Sequence, residues 1–293
     1  MKTESTLGKI IKSKDFIVTA ECAPGVTASP AKIEAALKAI GARPAAVALA
    51  DNAHGVGLSS LAASAAALKL GIEPILQIVT RDRNRIAIQS DLLGAASLGI
   101  GNVLCMSGYH QTIMGCPESA NVFDIDSTQL IGIVKSMSDK GTLLDGSAND
   151  GSFSMLAGAA ANPNLKPLEL GMLRLHNKIE AGAAFIITHT VFDIKSFAAF
   201  MEAAAKDGLT EKAAFLAGVY ALESAEEAEK LRATYAEFVI PDEVIERLRK
   251  AGENAKKEGL AVCAETMKQL KGISGLRGIH IMSGGRETIV PSL

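Results

Sequence analysis

PILQIVTRDRNRIAIQSDLLGAASLGIGNVLCMSG, residues 74–108, decides the fold. It opens on a short apolar run, 74–80, rich in β-branched side chains, which reads as a strand. Residues 86–98 then place apolar side chains at helical spacing and stop at Gly99, a residue suited to the left-handed turn that ends helices. A second short apolar run, 102–106, follows. Strand, helix and strand in so compact a span form a parallel crossover unit.

The unit repeats outward in both directions. Toward the N-terminus, 16–22 (FIVTAEC) and 45–50 read as strands, and 29–40 and 58–70 as helices. Ser29 is placed to cap the first helix, Pro30 stands at its first position, and Gly41 and Gly71 close the pair. Toward the C-terminus, strands are expected at 152–156 (the weakest), 184–188, 214–219 and 278–282. Helices are expected at 127–137, 168–181, 195–205, 225–233, 242–250 and 254–270. Eight short strands separated by helices, with no Pro-rich or Ser-rich linker, predict an α/β chain folded as a single-domain (β/α)8 TIM barrel over residues 1–293. A doubly wound open sheet is the alternative; the uninterrupted run to eight strands favours closure. The irregular segments 108–126 and 157–166 both follow expected strands, which places them on the catalytic face.

Composition narrows the function. The chain has 293 residues, 48% hydrophobic and 21% charged, ordinary for a globular protein with a large core. No run of apolar residues is long enough to span a membrane. The start, MKTESTLGKIIKSKDF, lacks the apolar segment of a signal peptide, so a cytoplasmic location is expected. Formal net charge is −2, aromatic residues are 4% and Trp is absent, which argues against nucleic-acid binding. Cys22, Cys105, Cys116 and Cys263 form no CxxC pair, and no HxH, HExxH, P-loop or GxSxG occurs. No metal site is expected.

In a barrel the pocket is built from residues at the C-terminal ends of strands. Here these are Glu21; Asp51, Asn52 and His54; Gln77 with the run Arg81-Asp82-Arg83-Asn84-Arg85; Ser107, Gly108, Tyr109 and His110; Thr188 and His189; Tyr220 and Glu223; and Ser283, Gly284, Gly285 and Arg286. Glu21 stands out, because it lies inside the apolar strand VTAECAP. Burial would raise its pKa and suit it to donate a proton near neutrality; a buried ion pair with a strand-end Arg is the competing reading. The 81–85 run is either an anion clamp or a helix N-terminal turn with surface ion pairs, the second being favoured. Gly284-Gly285 is either a phosphate loop or a simple turn. His189 and His110 are acid–base candidates or hydrogen-bonded structural residues, and His280, within the last strand, reads as structural.

Several of these segments together resemble the methylenetetrahydrofolate reductases. They are VTAECAPG around Glu21, VALADNAHG at 47–55, the stretch 77–108, AGAAFIITHTVFD at 181–193 and the closing GIHIMSGG at 278–285. The resemblance spans nearly the whole chain and is strongest to the short bacterial form, of the type found in anaerobic one-carbon metabolism. It implies FAD across the strand ends and hydride transfer to 5,10-methylenetetrahydrofolate giving 5-methyltetrahydrofolate; the sequence carries no nucleotide fingerprint, which leaves NAD(P)H or a protein partner as the donor. It implies that Glu21 protonates the folate. Gly108, with Ser107 and Tyr109, would lie by the flavin, Lys178 would face its diphosphate, and His189 and Asn52 would contact the folate.

The chain also departs from the family's pattern. Ala50 stands where the family has Thr, Tyr109 where it has Asp, His189 where it has Gln, and Asn177 where it has a basic neighbour of Lys178. These changes imply weaker flavin contacts beside an intact acid. Two further readings follow: a flavin-free folate-binding homologue working by direct hydride or methyl transfer, and a non-catalytic subunit of a redox complex. Self-association is an expectation carried by the family alone.

Overall fold

Parallel pairing of each short apolar run with the next builds the sheet. Thr19 lies opposite Ala46, Val47 opposite Pro74, Leu76 opposite Val103 and Asn102 opposite Leu156. Ile17 pairs with Gly278, so the last strand meets the first and the sheet closes as an eight-stranded barrel in chain order. The structure is a computed structural model and describes residues 5–53 and 55–293; His54 lies outside the described residues.

The first half of the chain runs α1 (Thr6–Ser13), β1 (Ile17–Cys22), α2 (Pro30–Ala39), β2 (Ala46–Leu49), α3 (Ser60–Lys69), β3 (Pro74–Val79), α4 (Arg85–Ser97), β4 (Asn102–Met106) and α5 (Ser127–Asp139). The second half runs β5 (Leu156–Ala161), α6 (Leu168–Glu180), β6 (Phe185–Thr190), α7 (Ile194–Lys206), α8 (Leu209–Lys212), β7 (Ala214–Val219), α9 (Ala225–Thr234), α10 (Asp242–Ala251), α11 (Ala255–Leu270) and β8 (Leu276–Ile281). Strand alternation sorts the side chains. Ile17, Ile75, Leu104, Phe185, Ile187 and Leu216 fill the lower barrel, whereas Ala20, Cys22, Ile78 and Cys105 face outward against Leu37, Leu92, Ile131 and Phe197.

Two elements differ from expectation. The fifth strand is Leu156–Ala161 and not 152–156. Its sequence, LAGAAA, has little intrinsic strand propensity, but pairing with β4 and β6 extends it. Small residues are needed there, since a Cβ on Gly158 would lie 2.2 Å from the Phe185 ring. The loop expected at 157–166 accordingly shrinks to the residues after Ala161. The second difference is α1, which the patterning left unassigned. It closes the lower end of the barrel by burying Leu7 with Ile17 and Ile75. Thr6 and Leu7 N–H groups donate to Glu73 at 2.7 and 2.8 Å, and Gly8 N–H donates to Ser5 Oγ at 3.0 Å, which satisfies the first turn.

At the other end the strand termini and following loops form the mouth. The helix after β3 starts at Arg85 with Asn84 as its cap, while Ser29 precedes α2 without a side-chain cap bond. No helix among the described residues is long and apolar enough to cross a membrane.

Candidate functional site

Alternation along β1 puts Ile17, Thr19 and Glu21 on the inner face in ascending order, so the carboxyl of Glu21 arrives at the mouth. It accepts one hydrogen bond, from Gly284 N–H at 3.3 Å. Among the described residues no cation pairs with it. Burial raises its pKa well above the carboxylate range; the Gly284 N–H opposes this and the nearby Glu287 reinforces it. The buried ion pair that competed with this reading is therefore not formed.

The arginines are engaged elsewhere. Arg81, only 1% exposed, donates from Nε and Nη2 to Asp82 at 2.7 and 2.9 Å, from Nη2 to Asn52 O at 3.0 Å and from Nη1 to Tyr109 O at 3.3 Å. Arg83 pairs with Asp51 and with Asp91, the latter at 3.0 Å, and Arg85 pairs with Asp124 at 2.8 Å. The run is thus no anion clamp. Its first member is also not a surface residue, because the loops after β2 and β4 fold over it.

Asn52 adopts a left-handed backbone, φ 49°. Its Oδ1 accepts from Gly57 N–H at 3.0 Å and its Nδ2 donates to Asp82 at 3.2 Å, so its amide braces the loop it sits in while the residue lines the cleft. Ser107 Oγ accepts from Ser127 N–H, fixing the start of α5, at 3.1 Å. Gly108 has φ +83°, and a Cβ there would come within 3.3 Å of both Arg81 and Val79; only glycine passes this point. Tyr109 turns into the cleft with its ring centroid 5.5 Å from that of Tyr235, which in turn lies 6.0 Å from Phe238. The segment after α9 thereby roofs the mouth. His110 is exposed, bonded to Thr112 and Asn121, and away from the cleft.

Two adjoining clefts of about 250 Å³ each share Met106, Gly108, Tyr109, Ala160 and His189. Together they fall in the size range of small-molecule sites, roughly 300–1,000 Å³. One lies over Glu21, with Gln77 and His280 in its floor; His280 is held by Thr19 Oγ1 at 2.8 Å, the structural role expected of it. The other runs along α6, where Arg174 and Lys178 stand one turn apart on the same face. Lys178 Nζ donates to Ala160 O at 2.7 Å, and burial followed by the charge of Arg174 depresses its pKa. Neither cation has an ion-pair partner among the described residues. Arg174 and Lys178 line this cleft, and Asn177 does not.

His189 lies within β6, which runs to Thr190 and so past the strand end expected at 188, beside the β6–β7 irregularity where Thr188 Oγ1 accepts from Gly218 N–H at 3.1 Å. Burial, then Lys178, lower its pKa to about 4, so it is neutral at pH 7. Its Nδ1 is 3.9 Å from Glu237 Oε1. Burial raises the pKa of Glu237. Sequence reading missed Glu237; the available signal was one acid inside the apolar run Tyr235–Val239 between two helices.

Gly284 and Gly285 have φ of +58° and +80°. A Cβ on Gly284 would stand 2.9 Å from the Tyr220 ring, and its N–H serves Glu21, so the pair is a turn and not a phosphate loop. Arg286 stacks 4.8 Å over Tyr220 and donates to Ala221 O at 2.9 Å. Tyr220 donates to Glu227 at 2.7 Å.

Comparison with known proteins places these features. The sequence model of the methylenetetrahydrofolate reductase family matches residues 6–293. No curated sequence matches the chain. Among solved structures, an uncharacterized protein from Clostridium thermocellum that binds two copies of 5-methyl-5,6,7,8-tetrahydrofolic acid is similar, with TM-score 0.66 and 12% identity over 94% of this chain and 91% of that one. At that identity the likeness is one of fold.

Proposed function

Because the chain belongs to the methylenetetrahydrofolate reductase family, we propose that it binds a reduced folate over the barrel mouth and converts 5,10-methylenetetrahydrofolate to 5-methyltetrahydrofolate, with Glu21 as the acid. The observation that carries this reading is the Glu21 carboxyl: desolvated, without a cation, and facing a cleft. The binding of 5-methyltetrahydrofolic acid by the Clostridium thermocellum protein of similar fold supports a folate as ligand.

The chemistry asks for one proton and one hydride. Glu21, its proton affinity raised by burial, gives its proton to the folate nitrogen whose bond to the methylene carbon breaks, which leaves an iminium. Hydride addition at that carbon completes the methyl group. Glu21 then regains a proton from solvent. Tyr109, Tyr235 and Phe238 cover the site and keep water from the iminium. Neutral His189 offers a hydrogen bond to the pterin edge, and Asn52 holds the rim.

The family implies FAD. The residues present fit its diphosphate: Arg174 and Lys178 form a cation pair lacking an ion-pair partner among the described residues, one of them desolvated, and Ser107 and Gly108 line the same cleft. When bound and reduced, FAD supplies the hydride, with NAD(P)H as its donor. A second reading is favoured by Tyr109, whose ring packs on Tyr235 where the family has a carboxylate. It makes the chain a flavin-free folate protein acting by direct hydride or methyl transfer.

An absorption spectrum of the purified protein, before and after FAD loading and desalting, separates the two. A retained flavin band supports the reductase, and a colourless protein that cannot be loaded supports the flavin-free form. Glu21→Gln should keep folate binding and lower turnover by about 10²–10⁴-fold; unchanged turnover would remove Glu21 from the mechanism.

A further inference from the structure

Two hydrogen bonds cross at the seam where the barrel closes. Gly284 N–H, past the end of β8, donates to Glu21 Oε1 at 3.3 Å. Ala23 N–H, past the end of β1, donates to Glu287 Oε1 at 3.0 Å. Each carboxyl is held by the strand that carries the other. Glu287, 9% exposed, begins the short 3-10 turn Glu287–Ser292. It also accepts from Ser283 Oγ at 3.4 Å. It makes no ion pair among the described residues and does not line the cleft.

A buried carboxyl without a cation is costly to keep, and the proposed chemistry has no direct use for this one. We propose that Glu287 is a positioning residue for Glu21: anchored on the Ala23 N–H, it sets a fixed negative charge beside the acid and so holds the Glu21 proton in place until the folate takes it. Two neighbouring carboxyls do not both ionise readily. Glu287 takes two donors, the nearer at 3.0 Å, and Glu21 a single longer one at 3.3 Å, and by this asymmetry we assign the charge to Glu287 and the proton to Glu21. The raised proton affinity of Glu21, due mainly to burial and further to Glu287, agrees with this division.

Other titratable groups around Glu21 are committed elsewhere. Tyr220 donates to Glu227, and His280 is paired with Thr19. Asp51 is held by Val79 N–H and Arg83. Arg286 is drawn to Ala221 O, Glu223 and Glu227, and the Cys22 thiol is kept protonated by burial and both carboxyls.

The inference rests on Glu21 being the acid, yet its test needs no turnover. Carbon-13 NMR of protein labelled at glutamate carboxyls gives the Glu21 titration midpoint directly, its resonance being identified by its loss in Glu21→Gln. Glu287→Gln keeps an acceptor for Ala23 and removes the charge, so the Glu21 midpoint should shift down. Glu287→Asp keeps the charge, and the midpoint should stay raised. A midpoint unchanged in Glu287→Gln, or one in Glu287→Asp that falls to the ordinary carboxylate range, overturns the proposal; the second variant carries the test should the first not fold. In turnover assays the loss of activity with rising pH should begin at lower pH in Glu287→Gln, with KM little changed. Absence of folate turnover from the wild-type protein would sink the functional reading and leave the NMR result standing.

Discussion

Folding half-buries the Glu21 carboxyl at the cleft, and the change in its proton affinity must reappear in the stability of the protein. Its folded pKa is raised above the unfolded value. The stability it contributes is therefore present in full below the ordinary carboxylate range and lost as pH rises through the raised folded value. Glu21→Gln, which cannot ionise, should lose this dependence. Urea unfolding at a series of pH values should find the variant gaining on the wild type as pH rises, and parallel curves would show that the carboxyl is solvated. Tyr109 poses a separate test at the same scale. Its ring meets Tyr235 at 5.5 Å where the family has a carboxylate, so Tyr109→Asp should open the ring end and tighten FAD binding in a fluorescence titration; weaker binding would show that the tyrosine is adapted to the flavin.

At the level of elements, β5 shows why propensity and patterning diverge. LAGAAA offers no alternation, since nearly every residue in it is small. The inner face needs that smallness, because Phe185 from β6 crosses the barrel and fills the space a side chain at Gly158 would take. Gly158→Ala should cost about 1–3 kcal/mol by overpacking, read in chemical denaturation, and adding Phe185→Leu should recover part of the loss. The other strands were legible because their apolar residues recur locally. Glu21 was legible for the same reason, as a charge that breaks an apolar strand. Arg174 and Glu237 were not: one stands in an ordinary exposed helix pattern and the other in a connecting segment. Neither stands out until α6 is laid along the cleft, with Arg174 beside Lys178, and the segment after α9 brings Glu237 to His189.

The whole molecule divides into a closed lower end packed around α1 and an open upper end that carries the candidate site. Leu7 of α1 is fully buried against the lower layer. Leu7→Ala should cost about 2–5 kcal/mol of stability while leaving folate affinity unchanged in calorimetry; altered affinity would mean that the two ends are coupled. The sequence by itself determined the strand–helix alternation, the barrel class, the mouth position of Glu21 and the likeness to one enzyme family. All of these rest on periodicities and motifs carried within a few tens of residues. Only the tertiary structure decided which strand-end groups are spent on each other and which face the cleft. It buried Arg81 in an internal network, supplied Arg174 to Lys178, set Glu237 by His189, and joined Ala23 to Glu287 across 264 residues of chain. The reason is closure: the first and last strands become neighbours only when the sheet completes its circle, and no local pattern records which side chains then meet.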